Sequence, residues 1–414
     1  MTDVQGTPEE TGPESAQRPV LSDSEALRYT PENLFARGGW LHSPDGPWRP
    51  ERVTPPPDER TRVVDAQRGP FRTVQQAVNA AVDGAGSRAR VWIAVAPGVY
   101  RGVVYVPANA PPITIYGTGE TPEQVCLALT LDARFTPQQY QVAVNARGEF
   151  QPGDPAWEEY QRIAASGAPE IGTGASAVVW AQSDGFQLLN LSVVNTLLDS
   201  VDGQAHQAVA LRTDGDRVQL ERLRLISRQD TLWLNSRGVA QGAASHISRV
   251  RVKDCYIEGD VDYVFGSASA YFENVHLHTV SSRGAGEAFV LAPSTPHDVP
   301  FGFLVKQCRF TTDNGFGETL FAKLGRAWDH GARETGYRPG HTANGQALIR
   351  DSFTDAGFDA KAPWGAAATT GRPFAASRSA LRDDVRYNRL VEYHNQQRVE
   401  NRGKTPAQKR RRQG

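Results

Sequence analysis

From residue 175 onward one pattern, apolar-x-apolar-x-x-apolar-x-apolar, recurs along the chain, and it restricts the fold more than any other feature. Five copies can be written out: Phe186/Leu188/Leu191/Val193, Val218/Leu220/Leu223/Leu225, Val250/Val252/Cys255/Ile257, Ala270/Phe272/Val275/Leu277 and Phe303/Val305/Cys308/Phe310. A weaker sixth opens at Ala347 and Ile349, and the five starts lie 32, 32, 20 and 33 residues apart. Alternation on both sides of a two-residue step describes two short strands joined at a corner, whereas a helical solenoid would repeat its apolar positions every 3.6 residues. The pattern therefore predicts an all-β, single-stranded parallel β-helix. Each coil buries alternate side chains in a central column and bonds to the coils above and below, and the unequal spacings mark loops of different length.

Composition narrows the function classes. The 414 residues, 39% of them hydrophobic, suffice for a large core. With 45 Lys and Arg against 46 Asp and Glu, the chain lacks the basic footprint that nucleic-acid binding needs, so no nucleic-acid partner is expected. No apolar run reaches the ~20 residues of a membrane span. The first residues are acidic and polar, without the basic and apolar regions of a signal peptide, which leaves either a cytoplasmic protein or a missing leader. Cys126, Cys255 and Cys308 form no CxxC pair, so neither a disulfide framework nor a zinc site is expected. Cys255 and Cys308 hold the same pattern position two coils apart. At ~4.8 Å per coil that is ~9–10 Å, beyond the ~7 Å reach of a disulfide, and both read as core thiols.

Residues 1–60, rich in Pro, Glu, Ser and Gly and including Pro55, Pro56 and Pro57, read as an extended segment that borrows order from the body it packs on. The first regular element is a short capping helix in TVQQAVNAAV. There Thr73 and Gln76 have capping-box spacing, and Val74, Ala77, Val78 and Ala81 share a face. Strand-like runs follow (VWIAVAPGVY, VVYVP, ITIYGTG), each closed by Pro or Gly. The β-helix is assigned to residues 61–365, with an insertion at 132–168. Residues 366–414 are assigned to a tail packing on it, and its basic end, NRGKTPAQKRRRQG, is expected to be disordered.

The coil model places two acids together. Asp230 stands 12 residues after Val218 and Asp262 stands 12 after Val250, so the two carboxylates stack in adjacent coils roughly 5 Å apart. Like charges that close do not both ionise freely, and an acid and an anionic nucleophile are roles such a pair can fill. Gln207 and Gln229 offer uncharged amide donors for a developing oxyanion. A purely structural aspartate ladder fits the same spacing. So does a retaining glycosidase, whose carboxylates also lie ~5–5.5 Å apart. Gly172-Thr173-Gly174-Ala175-Ser176-Ala177 fits a loose dinucleotide pattern, but a strand follows it and no cofactor is expected. There is no G-x-S-x-G elbow and no metal-ligand cluster. His206, beside Gln207, reads as a loop histidine without a catalytic role, and His276 and His278 point outward from their strand.

HQAVAL, RQDTLW, EGDVDYVFG and KLGRAW resemble the four signature segments of the pectin methylesterases, whose family forms are QAVAL, GxQDTLY, GxVDFIFG and LGRPW. PGVY, VVYVP and ITIYGTG resemble that family's N-terminal coils, and the likeness spans residues 65–360. It implies a right-handed β-helix that hydrolyses the methyl esters of homogalacturonan without cofactor or metal. Asp262 would be the nucleophile and Asp230 the general acid and then base. Gln207 and Gln229 would form the oxyanion site, and Arg326 would pair with Asp262. Trp328, Trp233, Phe265 and Tyr263 would contact the sugar. The resemblance further implies a monomer acting on an extracytoplasmic polysaccharide. Three departures stand out: Tyr100-Arg101-Gly102 lacks the acid of the family's Tyr-x-Glu, Trp233 replaces a Tyr, and Ala327 replaces a Pro. The insertion from Asp132 to Ala168 is similar to that of a bacterial branch containing outer-membrane lipoproteins and thioester hydrolases. It leaves a thioester such as acyl-CoA, or a non-catalytic glycan-binding role, as alternatives.

Overall fold

The predicted copies lie in register on one another. In one parallel sheet (sheet I), Leu188, Leu220, Val252, Phe272, Val305 and Ile349 occupy successive rungs. Val193, Leu225, Ile257, Leu277 and Phe310 do the same in sheet II. All of these side chains are buried in one continuous core column. A third parallel sheet closes the coil. In the computed structural model, which describes residues 18–41, 43–56, 61–84, 89–202, 204–238, 245–283, 286–376 and 387–397, the three sheets hold ten, nine and eight strands. The fold is a parallel β-helix. The tail sequence beyond residue 397 lies outside the described residues.

The corner between sheets I and II has one recurring solution. Asn190, Arg222, Asp254, Asn274, Gln307, Asp351 and His394 each take φ between 49° and 55°. Each is the second of the two middle x positions in the repeat, so a single left-handed residue makes the bend. Asn and Asp tolerate that conformation best among residues with a Cβ. The next position turns inward: Leu191, Leu223, Cys255, Val275 and Cys308 enter the core, and the last two corners bury Ser352 and Asn395 there instead. At Cys255 and Cys308 burial pushes the thiols up to about 12, and both are free.

Helix α3, Val74–Asp83, caps the open end of the column. Thr73 accepts from the Gln76 amide in a complete capping box, and Val74, Ala77, Val78 and Ala81 face Val64, Ile93 and Val95. Ahead of it, residues 18–56 contain α1 (Asp23–Ala26), α2 (Pro31–Leu34) and a hairpin of Gly38–Trp40 with Ser43–Asp45. Leu21, Tyr29, Leu34 and Phe35 pack on the outer face of sheet I against Tyr271, Leu304 and Leu348. Arg249 fixes this segment from below. It holds Asp216 through Nε and Nη2 at 3.0 and 2.6 Å, and donates to the carbonyls of Phe35 and Gly46, with both charged side chains fully buried.

One boundary differs from the sequence reading. Strands Arg389–Tyr393 and Gln396–Gln397 pair onto sheets I and II, so the β-helix runs past residue 365 and the assigned tail contains its last coil. Residues 18–21 then add beside that coil. Leu21 N donates to Glu392 O at 2.9 Å, Glu392 N donates to Pro19 O at 3.0 Å, and Arg18 pairs with Glu392. The insertion carries two helices. Helices α4 (Pro137–Asn145) and α5 (Trp157–Ala164) cover Tyr105 and Trp180 of sheet III with Tyr140, Phe150, Tyr160 and Ile163. Thr136 and Gln139 form another capping box, a signal present in the sequence.

The corner geometry carries a prediction. Gln307→Asn raises the thermal midpoint, whereas Gln307→Val, β-branched at a left-handed position, costs about 1–2 kcal/mol. Calorimetry of the two variants checks the opposite signs.

Candidate active site

The corner leading from sheet II into sheet III presents the chemistry. Gln207 and Gln229 bridge each other in adjacent coils. One residue on, Asp230 donates its amide to Val261 O at 3.1 Å, and Leu232 and Trp233 stack on Val264 and Phe265. Asp230 therefore stands directly beneath Asp262, as the spacing predicted. Both aspartates lie in the left-handed region, with φ of 71° and 51°. Strain of this kind persists only where the surrounding structure enforces it.

The two carboxylates have different partners. Arg326 grips Asp262 with a bidentate fork, Nε to Oδ1 at 2.8 Å and Nη2 to Oδ2 at 2.7 Å. The guanidinium rests over the Phe289 ring, 4.1 Å from its centroid. Asp230 has no such fork. Burial, followed by the negative charges of Asp262 and Asp260, pushes its carboxyl well above the usual range. One member of the stacked pair is thus held opposite a cation, and the other is driven toward its protonated form.

These groups open into a cleft of about 430 Å³ lined by Gln207, Gln229, Asp230, Asp262 and Arg326. Trp233, Phe265 and Trp328 form its aromatic wall. Trp233 stacks on Phe265 at 4.9 Å and meets Trp328 edge-on at 6.1 Å. Trp233 is held from behind by Arg212, whose guanidinium sits between the rings of Trp180 and Trp233, 4.2 and 4.4 Å from their centroids. Gly266 ends this segment because a Cβ there would fall 2.0 Å from Leu234 O and 2.9 Å from the Trp233 ring.

Tyr263 corrects the sequence reading. Strand alternation sends it to the face opposite Asp262, and it is 0% exposed in the core column, its hydroxyl 3.0 Å from that of Thr279. It contacts no cleft. Other residues belong to the site that motif reasoning passed over. His330 stacks on Trp328 at 4.1 Å, and Arg333 lines the rim. His206 is clasped by two carboxylates, Nδ1 to Asp132 at 2.6 Å and Nε2 to Asp202 at 2.9 Å. Arg283 donates to its carbonyl and pairs with buried Asp260 at 3.3 Å. Asp132 is the first residue of the insertion, so the clasp ties that insertion to the residue preceding Gln207. Among the described residues no three His, Cys, Asp or Glu side chains come together in a way that could hold a metal ion.

Pectinesterase B of Pectobacterium parmentieri is 52% identical over 393 residues, covering 93% of this chain and 98% of that one. This chain belongs to the pectinesterase family. The family's sequence model matches residues 161–335, the stretch that carries Gln207, Gln229, Asp230, Asp262 and Arg326. Among solved structures, the rice weevil pectin methyl esterase superposes with a TM-score of 0.82 at 33% identity, covering 94% of this chain and 99% of that one. Escherichia coli YbhC gives 0.83 at 37%, covering 96% and 99%. As a pectinesterase-family member the chain is a carboxylic ester hydrolase.

Two outcomes follow for this pectinesterase fold. Asp230 binds its proton more tightly folded than unfolded, so it destabilises the fold progressively as pH rises from the ordinary carboxylate range through its raised native value. Asp230→Asn removes that titration, and its stability advantage over the wild type grows across the window and then levels off, as urea titrations at several pH values will show. Asp132→Ala frees His206 and displaces Gln207, lowering kcat for ester hydrolysis by about tenfold or more with little change in thermal midpoint.

Proposed function

We propose that this cleft de-esterifies methylated homogalacturonan, with Asp262 as nucleophile and Asp230 as general acid and base. The observation that carries the reading is the unequal treatment of two stacked carboxylates, one forked by Arg326 and one buried without a cation of its own. The Asp262 carboxylate attacks the ester carbonyl carbon, and the side-chain amides of Gln207 and Gln229 receive the oxyanion. Collapse breaks the C–O bond to methoxide, which takes the Asp230 proton and leaves as methanol. The Asp230 carboxylate then draws a proton from water as it attacks the acyl-aspartate, restoring Asp262 and yielding pectate. Trp233, Phe265 and Trp328 offer flat faces to the sugar rings.

The relatives' names support pectin as the substrate, and the size of that polymer supports an enzyme working outside the cytoplasm. No helix of the described residues is long and apolar enough to cross a membrane. The paired amides favour acyl over glycosyl transfer.

The test is methanol release from methyl-esterified pectin, run beside reducing-end, aryl-ester and acyl-CoA assays. Methanol without new reducing ends is expected, and new reducing ends or a preference for acyl-CoA would overturn the reading. Asp262→Ala abolishes turnover with the fold intact. The acylation step needs a protonated Asp230, so kcat falls as pH rises through that group's raised value.

A further inference from the structure

A second cavity, of about 300 Å³, lies at the same corner of the β-helix three coils before Asp230, beyond the insertion. Strand Val104–Val106 pairs with Val179–Ala181, which pairs with Leu211–Thr213 and then Leu232–Leu234. Successive coils are ~4.8 Å apart, so the cavity sits ~14 Å from the catalytic pair along the axis. Helices α4 and α5, packed over Tyr105 and Trp180, stand between the two.

Three arginines line this cavity: Arg72 before helix α3, Arg101 in the corner and Arg147 from the insertion. All three are exposed, and among the described residues no ion pair joins their guanidinium groups to an acid, although the Glu149 carboxylate accepts from the Arg147 amide at 3.1 Å. Asp65 already accepts from the amides of Gln67 and Arg68 at 2.8 and 3.1 Å, and these hydrogen bonds, ahead of the charges of Arg68 and Arg72, hold its carboxyl below the usual range. The Tyr-x-Glu expected at this corner is Tyr100-Arg101-Gly102, so the position that would neutralise the cluster carries no charge. Beneath the guanidinium groups the walls are apolar: Val99, itself 59% exposed, with Val103, Val104 and Leu127. A cavity with the unpaired guanidinium groups of Arg72 and Arg101 beside apolar walls fits a ring that has a C–H face and a carboxylate.

We propose that this cavity is a second, non-catalytic site for an unesterified uronate of the polysaccharide. The inference rests on the pectin reading of the cleft and extends it, because hydrolysis converts a neutral ester into the carboxylate that the arginines recognise. The site then holds de-esterified product close to the cleft while neutral, fully esterified chain engages the cleft alone.

Isothermal titration with unmethylated trigalacturonate tests it directly, independent of turnover. The wild type is expected to show a site whose affinity falls with added salt, and Arg72→Ala/Arg101→Glu to weaken that site by about tenfold or more. Hydrolysis of fully methyl-esterified trigalacturonate stays unchanged in the variant, whereas KM rises on long, partly de-esterified pectin. Unaltered trigalacturonate binding in a folded variant overturns the proposal. So does equal affinity for the methyl-esterified trimer, or displacement by equimolar inorganic phosphate, which would mark a plain anion site. Absence of methanol release by the wild type would instead overturn the cleft reading while leaving the binding result to stand.

Discussion

The backbone ladder between successive coils is the constraint on which everything else rests. Each rung fixes which residue lies over which, and because side chains alternate, a slip of one residue would exchange core and solvent faces along a whole strand. The repeat's apolar columns enforce the register over six coils of sheet I. The same register sets Asp230 under Asp262 and Gln207 beside Gln229. The reactive constellation is thus a by-product of core packing, held by hydrogen bonds that have no part in the chemistry.

Charge then differentiates what the register makes alike. Asp230, Asp260 and Asp262 are all buried within a short stretch of two coils, with Arg326 on Asp262 and Arg283 on Asp260. Asp230 receives the fields of the other two carboxylates and owns neither cation. Burial magnifies the inequality, since desolvation penalises whichever acid has the poorest compensation. The aromatic wall is also positioned from behind, because Arg212 between Trp180 and Trp233 is itself anchored by Asp214 at 3.0 Å.

Much of this was legible in the sequence. Spacing alone stacked the two aspartates, and the corner pattern anticipated the bend that Asn190, Asp254 and Gln307 make. What escaped it depended on information that period and spacing lack. Tyr263 sits in a signature segment full of site residues, but strand parity turns it into the core. His206 looked idle because one of its two partners, Asp132, lies 74 residues earlier in the chain, beyond what local spacing can show. The last coil was hidden because its pattern positions after Leu390 are Glu392, Asn395 and Gln397, polar where the earlier copies are apolar. The helices of the insertion were masked by a composition rich in Gln and Pro, although the capping box at Thr136 announced one of them.

The pairing of residues 18–21 with the final coil changes the character of the whole stack. An array whose members touch only their neighbours can fray from its terminal member, and a bare last strand offers a template for intermolecular addition. Here that strand is already occupied by a segment more than three hundred residues earlier, the Arg18 to Glu392 separation being 374. A linear pile of rungs thereby acquires circular connectivity, and its end opens only if the early segment peels away as well. Such closure makes assembly slow, because so distant a contact forms late, and makes the finished molecule resistant to piecemeal unzipping.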